Sequence, residues 1–264
     1  MLLKLMTSNV WADVFGNPVH PRDKLLCELV RDEKPDVLFL QEMHPNWHKS
    51  DLKPCLSALG YTESIPDLHG NDLNYTPVFY RKDRFLEIES EFVIYGGPND
   101  YSSKSVSFSL LKDKASETVF GVSSTHMYFS QDEKGDSARI SNTLELSALF
   151  AKYRNAKAIF CGGDFNCDVH SEPFRILNSS GIRCCSLENC DKKHFIRTHH
   201  ENPVYDSQSY TYVPADPSIE GNDFSIDHIV FKGNAKILSY DVICNEKACM
   251  ISDHCPVVVT AEIY

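Results

Sequence analysis

Short apolar segments recur from one end of the chain to the other, and they constrain the fold more than any other feature of the sequence. At the N-terminus, Leu3 and Leu5 alternate with Lys4, as in a strand with one buried face. The segment DVLFLQE at residues 36–42 contains four consecutive apolar residues and predicts a buried strand. Further strands are predicted at TPVFYRK, FLEIESEFVIY, SVSFSLL, TVFGVSSTHMYF, AKAIFCGGD, SIDHIVFK, KILSYDVI and PVVVTAEIY.

Helical patterns lie between some of these strands. One segment bounded by two prolines places its apolar residues on a single helical face: Leu25, Leu26, Leu29 and Val30. With the strands on either side, it predicts a strand–helix–strand unit with parallel pairing. Further helices are predicted at residues 50–59, 135–154 and 172–179. Because strands outnumber helices and the helices are scattered, the predicted fold class is α/β, with two packed sheets and helices outside them.

The length and composition indicate one domain over residues 1–264. The chain is 42% hydrophobic, enough for a sizeable core, and it contains no internal repeat, low-complexity tract or linker. Residues 183–224 are the least regular part and are predicted to form a long loop with a functional or mobile role.

The charge and the apolar pattern restrict the partners and the compartment. A formal net charge of −11 repels polyanions, which argues against long duplex DNA and favours small or single-stranded substrates. The N-terminus lacks the apolar stretch of a signal peptide, and no later segment is long and apolar enough to cross a membrane. We therefore expect a soluble, cytoplasmic protein. Its ten cysteines form no C-x-x-C motif, so reduced, buried thiols are favoured over a structural zinc.

Polar clusters follow several of the predicted strands. They contain Asn9, Glu42, His126, Asp164 with Asn166, Asp227, and Asp253 with His254. In a layered α/β fold such strand ends gather at one crevice. Carboxylates there suit Mg²⁺ or Mn²⁺, and histidines move protons near neutral pH, so the set matches hydrolysis of a phosphate ester. Zinc is less favoured at this site, because the sequence has no His-Glu-x-x-His motif.

Each of these residues, taken alone, has a structural explanation. Asn9 can end a strand, Glu42 can form a salt bridge, and His126 can be a buried, hydrogen-bonded histidine. Ser-Asp-His before the last strand can be a turn. Their joint appearance in this order favours the functional interpretation.

In this order the motifs resemble the metal-dependent endonuclease/exonuclease/phosphatase superfamily. The matching motifs are SNVWA, LQE, STH, GDFN, SIDHIVF and SDHCPV, and they span essentially the whole chain. The resemblance implies a four-layer α/β sandwich, with two packed mixed β-sheets flanked by helices and the site at one edge of the sheets.

The resemblance also implies a Mg²⁺ or Mn²⁺ cofactor and a set of metal-site residues. Glu42 is expected to be the main metal ligand, and Asn9 is its hydrogen-bonding neighbour. Asp253 would complete a metal or supporting position.

The catalytic residues implied by the resemblance are His126, Asp164, Asn166, Asp227 and His254. Asp164 would orient or activate the attacking water, or serve the leaving group, and Asn166 would contact the phosphoryl group. Asp227 would orient His254, which would contact phosphate or act as a general base. His126 would serve as a general acid for the leaving oxygen. Asp168 matches no family position and is expected to be a turn residue.

Two motifs indicate the branch of the superfamily. STH is similar to the deoxyribonuclease, sphingomyelinase and deadenylase branches, and NVWA is similar to sphingomyelinase-like members. The chain is therefore expected to be closer to these branches than to apurinic endonucleases. The alternative interpretation of Trp11 in NVWA is that it is a residue of the hydrophobic core.

Two further groups of residues are candidates for substrate binding. One of four basic residues could bind phosphate, with solvated surface charges as the alternative: Arg81, Lys82, Arg84 and Lys104. The aromatic and histidine residues of the irregular loop could stack on a base or merely hold the loop to the surface: His199, His200, Tyr205, Tyr210 and Tyr212.

The predicted function is a divalent-metal-dependent phosphodiesterase or nuclease. Its substrate would be a nucleotide or a single-stranded nucleic acid, attacked in line by an activated water. The alternative is a phospholipid hydrolase of the sphingomyelinase type or an inositol-phosphate hydrolase. A non-catalytic binding module is a distant third.

Overall fold

The computed structural model describes residues 1–14, 16–65, 67–68, 70–188, 197–215 and 225–264. Within them lie fourteen strands and seven helices. The strands are β1 (Leu2–Asn9), β2 (Val37–Gln41), β3 (Tyr61–Glu63), β4 (Val78–Arg81), β5 (Phe85–Ile94), β6 (Ser105–Asp113), β7 (Val119–His126), β8 (Ala158–Asp164), β9 (Arg183–Cys184), β10 (Val204–Asp206), β11 (Thr211–Val213), β12 (Asp227–Gly233), β13 (Ala235–Val242) and β14 (Val257–Ile263). The helices are α1 (Arg22–Glu33), α2 (Pro45–Lys49), α3 (Leu52–Ala58), α4 (Glu133–Lys152), α5 (Glu172–Ser179), α6 (Cys185–Glu188) and α7 (Glu246–Ile251).

Two six-stranded mixed sheets form the centre of the molecule. The first has the order β13-β14-β1-β2-β4-β3, and the second has the order β5-β6-β7-β8-β12-β9. Strands β1 and β2 pair in parallel, which confirms the predicted strand–helix–strand unit, and β7 and β8 form the parallel pair of the second sheet. Their neighbours pair antiparallel.

Three apolar clusters arrange the sheets and helices in layers. Between the sheets, Leu5 and Phe39 of the first sheet pack with Phe120 and Phe160 of the second. A second cluster joins the outer face of the second sheet to α4 and α5, and a third joins the outer face of the first sheet to α1, α3 and α7. The order is helices, sheet, sheet, helices, so the predicted four-layer sandwich is confirmed.

The predicted loop at 183–224 lies partly outside the described residues, at 189–196 and 216–224. Its described part contains β9, α6 and the hairpin β10–β11, so the prediction of an irregular loop was wrong for these elements. They have only two to four residues each, too few for a hydrophobic period to be recognised.

One pair of cysteines also differs from prediction. Cys27 of α1 and Cys55 of α3 form a disulfide, with a Cα–Cα distance of 6.4 Å, so the expectation of reduced thiols was wrong for them. This pair depends on how two helices pack, which their sequence spacing does not reveal. Seven other described cysteines are not disulfide-bonded. No helix among the described residues is long and apolar enough to cross a membrane.

Gly162 of β8 lets the two sheets approach closely at the polar strand ends. A Cβ atom at this position would lie 2.3 Å from Cδ2 of Phe39 and 2.9 Å from Cβ of Thr7, both on the opposite sheet. The glycine therefore provides room for the facing side chains and keeps the ends of β1, β2 and β8 together.

We expect Gly162→Ala to lower the free energy of unfolding by about 1–3 kcal/mol, because the added methyl group overpacks the space between the sheets. Denaturant titration followed by circular dichroism measures this loss. The matched control is Gly96→Ala, whose Cβ would lie 3.6 Å from Oε1 of Glu145 in ordinary contact. Equal stability of the two variants would contradict the packing role of Gly162.

Candidate active site

The strand register aligns three predicted site residues across the second sheet. His126 ends β7 and pairs with Asp164 at the end of β8, and Asp164 pairs with Asp227 at the start of β12. In the first sheet, Asn9 at the end of β1 pairs with Gln41, and Glu42 follows directly. The packed sheets thus bring these five polar residues to one edge.

Asn9 links the two sheets at this edge. Its Nδ2 donates to Oε1 of Glu42 at 3.1 Å and to Oδ2 of Asp164 at 3.0 Å. Its Oδ1 accepts the backbone N–H of Trp11 at 2.9 Å, which fixes the orientation of the amide. Asn9 is completely buried and holds two carboxylates in a fixed relation.

Glu42 is held in a strained, well-partnered position. Its φ of 62° lies in the left-handed region, and its Oε2 accepts the Ala12 backbone N–H at 2.6 Å. Burial opposes its ionisation, but the charges of His126 and Lys104 and the hydrogen bonds from Ala12 and Asn9 lower its pKa to about 2. Where His126 is neutral, the charge of Lys104 and the two hydrogen bonds still lower the pKa of Glu42. The side chain is 22% exposed and faces the cleft as a carboxylate.

His126 and Lys104 lie side by side in the floor of the site. Nζ of Lys104 is 3.0 Å from Nε2 of His126, which is 3.4 Å from Oδ2 of Asp164 and 3.9 Å from Oε1 of Glu42. Burial and the neighbouring Lys104 lower the pKa of His126 well below its ordinary value, so its imidazole is neutral. Lys104 is 6% exposed, and its ammonium group supplies a positive charge beside the carboxylates.

Asp164 lies at the centre of the cluster. Its Oδ1 accepts the backbone N–H of Asn166 at 2.9 Å, and Asn166 in turn donates from Nδ2 to the Met127 carbonyl at 3.0 Å. Burial raises the pKa of Asp164. The charge of Asp227 raises this pKa further and His254 lowers it, which leaves a pKa of about 6. A carboxyl group with such a pKa can exchange a proton near neutral pH.

Asp227 and His254 form a buried dyad. Nδ1 of His254 is 2.8 Å from Oδ2 of Asp227, and Nε2 of His254 lies 3.9 Å from Oδ2 of Asp164. Burial alone would lower the pKa of His254, but Asp227, Asp253 and Asp164 together raise it well above its ordinary value. The imidazole is therefore a cation whose Nε2 is available on the side of Asp164.

Asp253 lines the cleft and is grouped with His199 and His254. Its Oδ1 is 3.8 Å from Nε2 of His254, and its Oδ2 is 3.7 Å from Nε2 of His199. The ligand atoms of Glu42, His126 and Asp164 form a separate group, all within 4.8 Å of one another.

The cleft has a volume of about 780 Å³ and contains all the predicted site residues except Asn9 and Asp227, which lie behind its wall. The cleft is also lined by His44, Tyr101 and Phe129, which were not predicted from the sequence. Tyr101 is 84% exposed and Phe129 is 51% exposed. No local sequence pattern distinguishes these residues. Of the four candidate basic residues, Lys104 is the one that lines the cleft.

The other candidate basic residues lie elsewhere. Arg81 pairs with Asp83, and Arg84 pairs with Asp36 and Asp113. These two charges are held in ion pairs outside the cleft and are not simply solvated. Lys82 is exposed, as its alternative expected, and Lys104 lines the cleft.

Of the loop residues, Tyr205 and Tyr212 fit their structural alternative, whereas His199 lines the cleft and Tyr210 is 73% exposed. Tyr205 packs on Tyr212 with ring centroids 5.2 Å apart, and Tyr212 contacts Trp11 at 6.4 Å. Trp11 itself lines the cleft. The turn prediction for Asp168 is confirmed, since its Oδ1 accepts the backbone N–H of His170 at 2.6 Å.

Comparison with known proteins agrees with this fold. A search of curated proteins found no match. Three solved structures share the fold. The human Nocturnin catalytic domain with bound sulfate anion has a TM-score of 0.72 at 19% identity over 100% of this chain and 94% of that chain. The D. rerio TDP2 complexed with a single-strand DNA product has a TM-score of 0.74 at 16% identity over 99% of each chain. A Bacteroides thetaiotaomicron mannosyl-6-phosphatase has a TM-score of 0.71 at 20% identity over 98% of this chain and 99% of that chain.

The family comparison extends over most of the chain. The description "Endonuclease/Exonuclease/phosphatase family" matches residues 6–254, which include every predicted site residue. The chain belongs to the endonuclease/exonuclease/phosphatase family.

Proposed function

We propose that this protein is a Mg²⁺- or Mn²⁺-dependent phosphodiesterase acting on a nucleotide or a single-stranded nucleic acid. The observation that carries the proposal is the meeting of Glu42, Asp164 and the Asp227–His254 dyad at one end of the cleft. In-line attack of water on a phosphodiester needs carboxylates for a hard cation, a proton acceptor and cationic donors to the phosphoryl oxygens. This edge of the sheets offers all three.

The donor set fits a hard divalent cation. Glu42 and Asp164 present carboxylate oxygens, and the amide of Asn9 holds both in place. We assign Glu42 as the main holding residue, Asn9 as its support and Asp253 as a support beside His254. When bound, the cation would neutralise phosphoryl charge as a Lewis acid.

The electrostatics favour a particular division of roles among the predicted residues. Asp164, with a pKa of about 6, is assigned as the group that orients the attacking water and accepts its proton. His254, held as a cation by Asp227, donates to a phosphoryl oxygen. This choice replaces the general-base alternative for His254, because a group already protonated cannot accept the proton.

Lys104 and His126 are assigned to the opposite side of the phosphoryl group. Lys104 supplies positive charge, and Nε2 of the neutral His126 imidazole accepts a hydrogen bond from the ammonium group of Lys104 and holds that group in place. A cationic general-acid role for His126 is less favoured, because a second positive charge 3.0 Å from Lys104 is costly. Asn166 faces the cleft next to Asp164 and is assigned to contact the substrate.

The aromatic mouth of the cleft supports the nucleotide assignment. Tyr101 and Phe129 are exposed, and Trp11 forms part of the wall. Exposed rings beside a basic residue are suited to stacking on bases. The net charge of −11 disfavours long duplex DNA. The single-strand DNA product in the TDP2 structure supports the same substrate class.

The test is a substrate panel with and without divalent cations. We expect turnover of single-stranded oligonucleotides or linear dinucleotides only when Mg²⁺ or Mn²⁺ is added to protein dialysed free of loosely bound cations. Sphingomyelin, inositol phosphates and a sugar phosphomonoester complete the panel and represent the alternatives. Turnover is measured by product chromatography or phosphate release.

Two outcomes of the panel would contradict the proposal. Preference for a phosphomonoester would overturn the diesterase assignment and leave the family membership intact. No turnover of any member with either cation would favour the non-catalytic alternative.

A further inference from the structure

Three cysteines and a histidine meet next to the segment that carries His254. The thiols of Cys244, Cys249 and Cys255 are within mutual hydrogen-bonding contact. The ligand atoms of His200, Cys249 and Cys255 lie within 4.8 Å of one another. None of the three cysteines is in a disulfide. His200, Cys249 and Cys255 therefore hold three soft or borderline ligand atoms close together, and the thiol of Cys244 lies against the two cysteines.

His200 has the arrangement of a metal-bound histidine. It is 5% exposed, and its Nδ1 is 2.8 Å from the carbonyl oxygen of Glu201. Its Nε2 is buried and has no hydrogen-bond partner among the described residues. A buried ring nitrogen without a partner is costly, whereas a ligating histidine commonly uses one nitrogen for a backbone carbonyl and the other for the metal.

We propose that Cys244, Cys249, Cys255 and His200 bind a structural Zn²⁺ ion. Three thiolates and one imidazole are a common closed, tetrahedral zinc set, and thiolates select Zn²⁺ over Mg²⁺. The cysteine spacing, with four and five intervening residues, lacks a C-x-x-C motif, which is why sequence reasoning favoured reduced thiols here. The fold supplies the fourth ligand from 44 residues before Cys244.

The zinc would connect two extended segments beside the Asp227–His254 dyad. The backbone N–H of His200 donates to the backbone carbonyl of Asp253 at 2.8 Å, and the backbone N–H of Cys255 donates to the backbone carbonyl of Thr198 at 2.6 Å. Between them, His199 and His254 form an isolated antiparallel bridge. A metal bound to His200 and Cys255 therefore fastens the segment that positions His254. This site is separate from the proposed hard-cation site, whose main ligand is Glu42.

Elemental analysis of the purified full-length protein tests the proposal. We expect about one zinc per chain to survive dialysis in the wild type, and this zinc to be lost in Cys249→Ala and His200→Ala. Two matched controls should keep it: Cys161→Ala, a buried cysteine outside the cluster, and Glu42→Gln, which alters the proposed hard-cation site. Loss in the first pair and retention in the second would identify the ligands independently of catalysis.

A cobalt-exchanged wild type keeps the test valid if a variant fails to fold. We expect thiolate-to-cobalt charge-transfer bands and the visible bands of tetrahedral Co²⁺, since no ligand has been changed. Wild-type protein without zinc, or zinc lost in Glu42→Gln but kept in Cys249→Ala, would overturn the proposal. A disulfide between two of the three cysteines, detected by mass spectrometry after alkylation, would overturn it as well.

Discussion

We expect Asp164→Ala to lower kcat for a phosphodiester by about 10³-fold, because the variant loses the proposed proton acceptor of the attacking water. The variant should still fold. Burial raises the pKa of Asp164 to about 6, so its ionised form is disfavoured in the folded protein, and its removal relieves that cost. Steady-state kinetics with added Mg²⁺ or Mn²⁺ measures kcat, and thermal unfolding checks the fold.

The matched control for Asp164 is Asp168→Asn. Asp168 lies four residues away, caps a turn through its Oδ1 and does not line the cleft. Asparagine keeps the accepting oxygen, so kcat should stay within about twofold of the wild type. A kcat of Asp164→Ala within tenfold of the wild type would show that another group accepts the proton.

Much of the site could be predicted from the sequence because its residues lie at strand ends. A polar residue within three positions of the end of an apolar run is visible locally, and Asn9, Glu42 and Asp164 each have this placement. Parallel pairing of β1 with β2 and of β7 with β8 then brings such ends to one edge. Local pattern and general topology were sufficient for these residues.

The residues that were missed depend on contacts between distant segments. Tyr101 and Phe129 reach the cleft because β6 pairs with β7 and sets Ser105 opposite His126. The position of His200 beside Cys249 likewise depends on a segment that pairs with residues 253–255, between α7 and β14. Pairing partners and register are set by packing across the whole fold, so single-segment patterns do not contain them.

Two short helices were missed for a different reason. Helices α2 and α7 have five and six residues, less than two turns, so no hydrophobic period develops. The start of α7 is instead set by Asn245, whose side chain accepts the Ala248 N–H at 3.0 Å.

The second large effect is expected at His254. Replacing it with alanine removes the cationic donor from the phosphoryl group and should lower kcat by about 10²–10³-fold, as loss of a transition-state donor does in other enzymes. The control is His228→Gln, which changes the residue that follows Asp227 in β12. Its Nε2 contacts the Cys167 carbonyl at 3.0 Å, and its ring packs on Phe165 and Phe174, away from the cleft. This variant should lose stability with kcat largely kept, and equal losses of kcat in both variants would contradict the assignment.

The dyad partner Asp227 separates a chemical role of His254 from a structural one. Asp227 raises the pKa of His254, so the cation persists to high pH, and activity that needs it falls as pH rises through that raised pKa. In Asp227→Asn the largest raising charge is gone, Asp253 and Asp164 remain, and burial still lowers the pKa of His254. The basic limb of the kcat–pH profile should therefore move to lower pH, and part of the activity should be kept between this limb and the pKa of Asp164. A structural defect would instead lower kcat by the same factor at every pH and leave the limb in place, and that result would remove the donor role from His254.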